Sequence, residues 1–366
     1  MNAARSIFAT PGGTTAVGPA PLTTPPFPAR YSNPFRSDPK LQGALDDAIA
    51  TGPGTDWRTP VCVVSLSPTD GRYPVAAFRP DEVHYSASLV KVAALYAAFE
   101  LRNTLRAIAQ ELGASATASN VLRKAASYLN PRIMGKVAEI SPLRGVAQRH
   151  AVPQYDAAFK ATSASSGVTV DFSSSFTHHA TKMITESNNS SAGKCVHASG
   201  YGYLNGALAS AGFLDLVSLD GIWLAGDYSH EYPKYTVDSV NDKQVGQAAT
   251  VLQLAKMYTL MFDRSLVEAA SSSEMLDFLA GPVNEPPGRR EVFIDQASDL
   301  DFVVTQTKVG LGPLKSGIDV YSEASIVQHN SGGSFVATWQ NFVWGDDGFD
   351  SIGHVVRDTI DAYLTS

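Results

Sequence analysis

Residues 61–112 read VCVVSLSPTDGRYPVAAFRPDEVHYSASLVKVAALYAAFELRNTLRAIAQEL, and the fold is decided there. VCVVSLSP (61–68) is rich in β-branched residues, TDG (69–71) reads as a turn, and YPVAAFR (73–79) returns, which predicts a hairpin. From Ser88 the pattern turns helical and stays so to Leu112, with Ser88 suited to the first position or cap. Val90, Val92, Ala93, Ala94, Leu95, Ala97 and Ala98 make the start of this helix apolar nearly all round, the mark of a central, buried helix. Lys91 is out of place in it, because a buried ammonium is costly unless it has partners.

Outward from this stretch, strand patterns return only near the other end of the chain. They are DLDFVVTQTKVG (299–310), EASIVQHN (323–330) and SFVATWQN (334–341), followed by a terminal helix in DSIGHVVRDTIDAYL (350–364). Asp350 is a plausible cap for it, with Ile352, Val355, Val356, Ile360 and Leu364 facing the core. LQGALDDAI (41–49) predicts a short early helix with Asp46-Asp47 on its wet face, and Gly52-Pro53-Gly54 ends it. The middle is mainly helical, including 245–263 and 272–281, and the Ser/Thr-rich stretch 160–175 reads as a surface loop. The expected class is α+β: an antiparallel sheet built from both ends of the chain and flanked by the two terminal helices, plus a helical lobe. Residues 39–100 and 290–366 form the sheet lobe and 101–289 the helical one, with a possible insertion at 113–180; 1–38 form a proline-rich, poorly ordered arm. A cleft between the lobes is the natural ligand site.

Composition narrows the function. With 44% apolar and 17% charged residues the chain of 366 can bury a real core. A formal charge of -7, without a Lys/Arg block, speaks against nucleic acid. No run is long enough to span a bilayer and no signal-like apolar stretch opens the sequence, so as written it reads as cytoplasmic, and as periplasmic or secreted if a signal was removed. Cys62 and Cys195 read as small buried residues, and Cys62 lies within a strand-like run. His178-His179 lacks a third ligand at metal spacing, and no glycine-rich phosphate or dinucleotide motif follows a strand, so neither metal nor cofactor is expected. Trp339, Phe342 and Trp344 read as core cover at the last strand, and Asp346-Asp347 as a loop.

Ser88 and Lys91 are three apart, which puts them on one face of a helix within hydrogen-bond reach. A lysine in a dry core has its charged form disfavoured and can take a proton from a serine that would otherwise be a poor nucleophile. S-x-x-K alone is a common string, compatible with a plain N-cap and a lysine reaching solvent. Two further segments add weight. Ser187-Asn188-Asn189 closes a helical stretch with a second hydroxyl and an amide, and Lys308-Val309-Gly310 ends a strand with a lysine and a glycine.

S88-L-V-K91, S187-N-N189 and K308-V-G310, in that order, resemble the S-x-x-K, S-x-N and K-T/S-G motifs of the penicillin-recognising serine hydrolases, meaning class A β-lactamases and the related D-alanyl-D-alanine peptidases. The resemblance runs over about residues 40–364 and implies a β-lactamase-like fold. It implies an acyl-enzyme on Ser88, Lys91 as base or its electrostatic partner, and Ser187 as proton relay. Asn189 would orient the substrate amide, Lys308 would support Ser187 and a substrate carboxylate, and the N–H groups of Ser88 and Leu311 would hold the oxyanion. The implied partner is a small-molecule or peptide-like acyl substrate, and the implied assembly a monomer or small homo-oligomer.

The chain departs from that pattern in three places. Val309 stands where the family has a threonine or serine, so a polar contact to an anionic substrate, worth about 1.5–3 kcal/mol, is lost. LKSG (314–317) is the rival for the third motif, but it follows Gly312-Pro313 and reads as a turn. The family's Glu-x-x-x-Asn loop, whose glutamate activates the deacylating water, has no counterpart; Glu231, between His230 and Tyr232, is the candidate substitute, with a solvated surface residue as its other reading. Ser88 and Ser187 also lie farther apart than in compact class A enzymes. The function expected is a class A β-lactamase-like serine hydrolase. The alternatives are an esterase or peptide hydrolase of the same fold and a non-catalytic β-lactam-binding or scaffold protein.

Overall fold

Val61-Cys62-Val63-Val64, buried on both faces, form a strand inside the main sheet of the computed structural model, which describes residues 22–52, 57–165, 167–280, 302–343 and 350–365. In chain order the first elements are β1 (Phe35–Ser37), α1 (Pro39–Thr51), β2 (Val61–Ser65), β3 (Tyr73–Phe78) and β4 (His84–Tyr85). A single 3-10 turn, Ala87–Val90, leads into α2 (Lys91–Leu112), followed by α3 (Val121–Glu139), α4 (Gln148–Ala151) and α5 (Tyr155–Ala158). Then come β5 (Phe159–Ala164), β6 (Gly167–Phe172), α6 (Ser174–Thr185), α7 (Asn189–Ser199) and α8 (Tyr201–Ala211). Short strands β7 (Trp223–Leu224), β8 (Val237–Ser239), β9 (Lys243–Val245) and β10 (Gln247–Ala249) precede α9 (Val251–Phe262) and α10 (Ala269–Ala280). The chain ends with β11 (Phe302–Pro313), β12 (Asp319–His329), β13 (Ser334–Phe342) and α11 (Asp350–Thr365).

The sheet order is β1-β3-β2-β13-β12-β11, so strands from both ends of the chain share one sheet. It is antiparallel except where β1 joins β3 in parallel. The terminal helices α1 and α11 pack together on one face, over a core that includes Leu41, Leu45, Val61, Trp339, Phe342, Val355 and Ile360. Asp38 caps α1, its carboxylate accepting from the N–H groups of Lys40 and Leu41. The other face meets a larger core in which α2 is the central helix, its Val92–Leu95 segment fully buried. Both cysteines are free and buried. Among the described residues no helix is long and apolar enough to cross a membrane.

Several local readings change. The stretch 160–175 is not a loop: β5 and β6 form a hairpin, with Val170 buried and Phe172 stacked between Phe159 and Phe176. Ser173 then caps α6. Hydroxyl residues are tolerated on the wet face of a strand whose alternate residues pack, and this overrides the loop-like composition. The helix read from 245 starts only at Val251, because Thr250 caps it and 247–249 are drawn into a small sheet with β4 and β7. β11 runs on through Pro313. On α11 Leu364 is exposed rather than core-facing, while its neighbour Tyr363 packs edge-on against Phe335 and takes the core-facing place in the last turn. Residues 22–34, expected as part of an extended arm, run along the helical lobe before entering β1, with Phe27 stacked on Tyr203. The side chain of Asp350, and Trp344, Asp346-Asp347 and Pro53-Gly54, lie outside the described residues.

Candidate active site

Ser88 sits in the 3-10 turn, partly exposed, one turn ahead of Lys91 at the start of α2. The turn is entered through Ala87 in the left-handed region (φ 44) and closed by the Leu89 N–H donating to the Ser86 carbonyl at 2.9 Å. The edge strand β11 lies flush against it. A Cβ on Gly310 would come within 2.4 Å of the Ser86 carbonyl oxygen and 2.8 Å of the Leu89 nitrogen, and one on Gly312 within 2.8 Å of Tyr85 Oη. Glycine is therefore required at 310 by close approach, since the atoms it would meet are backbone.

Lys91 is fully buried. Its Nζ donates to the Ser187 carbonyl at 2.6 Å and to Asn189 Oδ1 at 2.8 Å, and lies 3.4 Å from Ser187 Oγ. The Tyr228 ring covers it, 4.6 Å from the nitrogen. Lys308, on β11, donates to the same Ser187 Oγ at 2.9 Å and to the Val309 carbonyl at 2.9 Å. Ser187 is thus held between two lysines, in the turn between α6 and α7 and again at positive φ (53). Burial first, and then the charge on Lys308, bring Lys91 down to about 6. A neutral amine has two N–H groups and one lone pair. The two short bonds to Ser187 O and Asn189 Oδ1 use the N–H groups and leave the lone pair for a hydroxyl. With its oxygen turned to Lys91, Asn189 presents its NH₂ outward from an exposed position.

Lys91, Ser187, Asn189 and Lys308 therefore meet in one hydrogen-bonded cluster, and the backbone of Gly310 lies against Ser86 and Leu89 in the turn that carries Ser88. The other expected residues stand apart. The Val309 side chain is buried in the core under the terminal helices, so it does not line the cleft with Lys308. The Leu311 side chain is exposed, and only its backbone, on an edge strand, is available to a ligand. Glu231 is not joined to Lys91 or Ser187; its half-exposed carboxylate lies 3.8 Å from His197 Nδ1. In the rival third motif, Lys315 donates to the carbonyls of Asp242 and Gln244 at 2.9 and 2.6 Å, in a surface turn. His179 meets Ser191 at 3.2 Å. Among the described residues no group of three His, Cys, Asp or Glu is placed to hold a metal.

Tyr228 was not legible as a site residue, nor was the clasp that holds it. Asp227 is buried and accepts from Ser229 Oγ (2.9 Å) and from the N–H groups of His230 (2.9 Å), Glu231 (2.9 Å) and Tyr232 (2.8 Å), with His197 Nε2 at 2.9 Å. The only local signal was an aspartate followed by turn residues, which is compatible with any Asx turn. Gly312, two residues after Gly310 on the same strand face, could have been found from the spacing.

No family model matches this sequence, and no curated protein matches it. Among solved structures the chain is similar to TLA-3 extended-spectrum β-lactamase, at 11% identity and a TM-score of 0.51, over 89% of this chain and 98% of that one. A β-lactamase from Chitinophaga pinensis DSM 2588 matches at 11% identity and a TM-score of 0.49, over 88% and 98% of the two chains. PBP-A matches at 16% and 0.47, over 91% and 99%. The likeness is one of fold: the chain has an α+β, β-lactamase-like fold.

Proposed function

We propose that this protein is a serine acyl-transfer hydrolase that forms an acyl-enzyme on Ser88. The observation that carries the reading is the Ser187 hydroxyl held between Lys91 and Lys308, with Lys91 driven toward its neutral form. Burial, and the Lys308 charge on the same oxygen, both favour the neutral form of Lys91. In the proposed sequence Lys91 takes the proton from Ser88 as Oγ attacks a carbonyl carbon. The Ser88 and Leu311 N–H groups hold the resulting oxyanion. As the carbon–heteroatom bond breaks, the proton returns from Lys91 through Ser187 to the leaving nitrogen or oxygen. Asn189 donates to the substrate's amide carbonyl, and Lys308 attracts a carboxylate.

The substrate is then an ester, amide or β-lactam with an acidic group near the scissile bond. Glu231 lies outside the Lys91 network, which favours an esterase or peptide hydrolase with slow release of a β-lactam acyl group over an efficient β-lactamase. Intact mass spectrometry after exposure to a fluorescent penicillin and to an activated ester tests this. A single adduct per chain, lost in Ser88→Ala, is expected, with slow turnover of a chromogenic cephalosporin. Absence of any adduct, with ester turnover equal in Ser88→Ala, would sink the enzyme reading and leave a binding or scaffold protein.

A further inference from the structure

We propose that Tyr228 is a positioning residue, holding the nucleophile turn through Ala87 and closing Lys91 off from water. The inference rests on the reading of Ser88 and Lys91 as nucleophile and base. Tyr228 reaches the turn that carries Ser88 and lies over Lys91 itself. Its Oη donates to the Ala87 carbonyl at 3.0 Å, the residue immediately before Ser88, and its ring lies over Lys91 Nζ. Burial, with Tyr85 and Tyr201 nearby, pushes its hydroxyl well above the usual phenol range, so it stays a donor wherever the enzyme works.

The loop that carries Tyr228 is built to keep it there. Tyr228 itself is at positive φ (60), a conformation that is unusual for a bulky residue and turns the ring inward. Asp227, next to it, ties the loop through its five hydrogen-bond partners, and the Tyr232 ring stacks on His197 at 3.6 Å, which fastens the clasp to α7. The underlying surface is shaped to receive the loop: a Cβ on Gly193 of α7 would stand 2.9 Å from the Asp227 carbonyl oxygen. Among the described residues, the groups facing Lys91 come from three places in the fold. Lys308 comes from β11, Ser187 and Asn189 from the α6–α7 turn, and Tyr228 from this loop. The Asp227 carboxylate is spent on its own loop and Glu231 faces outward, so among the described residues no carboxylate bonds to Lys91. With the ring in place the polar neighbours of Lys91 among the described residues are the motif residues; without it, water enters and the ammonium is solvated.

The two contacts predict two separable effects. Tyr228→Phe keeps the ring and loses the Ala87 bond, so Ser88 acylation by penicillin should slow about tenfold at every pH, its pH profile unmoved. Tyr228→Ala opens Lys91 to water, so the acid limb of that profile should move up by a unit or more. Titration of Lys91 by NMR of ε-¹³C-lysine protein reads the second effect directly and needs no substrate. Should Tyr228→Ala fail to fold, His197→Ala, which frees the clasp with Tyr228 intact, gives the same titration. An unmoved Lys91 titration in a folded variant overturns the sealing role, and wild-type acylation by Tyr228→Phe overturns the positioning role. A wild-type protein that forms no adduct defeats the Ser88 reading, while the Lys91 titration still decides what Tyr228 does.

Discussion

Lys91 is held 2.6 Å from the Ser187 carbonyl and 2.8 Å from Asn189 Oδ1 inside an apolar helix, and in the proposed mechanism its protonation decides what Ser88 can do. Its folded pKa lies at about 6, below the value it has in an unfolded chain. The neutral, proton-accepting form therefore predominates above pH 6, and acylation of Ser88 should rise tenfold per pH unit below 6 and level off above it. Stopped-flow acylation with a penicillin across pH 4.5–9 checks this. Lys91→Met should lower the plateau by about 10²–10⁴-fold, the usual worth of a general base. Between about 6 and the ordinary lysine range the unfolded chain binds the extra proton, so folding stability should rise with pH there. Urea midpoints at pH 6 and pH 9 should separate in the wild type and draw together in Lys91→Met. The anomaly of a lysine in an apolar helix could be seen in the residues, but the two acceptors that make it tolerable lie about a hundred residues away and could not.

At the scale of elements, the site depends on how closely β11 approaches the 3-10 turn. Gly310→Ala would force backbone atoms of Ser86 and Leu89 aside, so it should cost about 1–3 kcal/mol in urea unfolding and abolish the Ser88 adduct, by separating the oxyanion N–H groups. The loop after β7 is the other determinant. Burial alone would raise Asp227, but the hydrogen bonds from Tyr232, His197, Ser229 and His230 outweigh it and hold the carboxylate below its ordinary value. A depressed carboxylate contributes stability above its unfolded pKa and loses it as pH falls through the folded one, so amide exchange in 226–235 should quicken below about pH 4. Asp227→Asn should produce the same fast exchange at pH 7, because its NH₂ would face backbone donors. The hairpin of β2 and β3 and the long α2 could be read from period and composition; this clasp could not, since its partners are mostly backbone N–H groups, which carry no sequence signal.

On the scale of the whole molecule, residues 22–37 strap the helical lobe to the sheet. Glu111, at the end of α2, accepts from the N–H and hydroxyl of Thr23 (2.6 and 2.7 Å) and of Thr24 (3.0 and 2.6 Å). Farther along, Tyr31 Oη donates to Glu100 at 2.8 Å, and β1 then pairs with β3. Hydrogen bonds from Thr24 and Thr23 bring Glu111 down to about 2. The tie is therefore whole above pH 4.5 and is lost as pH falls toward 2. Amide exchange at 22–28 should rise over that interval, and Glu111→Gln should show it at neutral pH with β11–β13 unaffected.

What the sequence determined by itself was local: a hairpin, a buried helix with a lysine in it, strands at the far end, and three motifs in a recognisable order. Period, side-chain branching and short spacing carry those. Only tertiary structure decided that Ser187 stands between two lysines, that Val309 faces the terminal-helix core, that Glu231 stays outside, and that Tyr228 covers Lys91. These depend on the face each strand residue takes and on loop backbones at positive φ. Long-range packing sets both, and a composition or a motif does not record it.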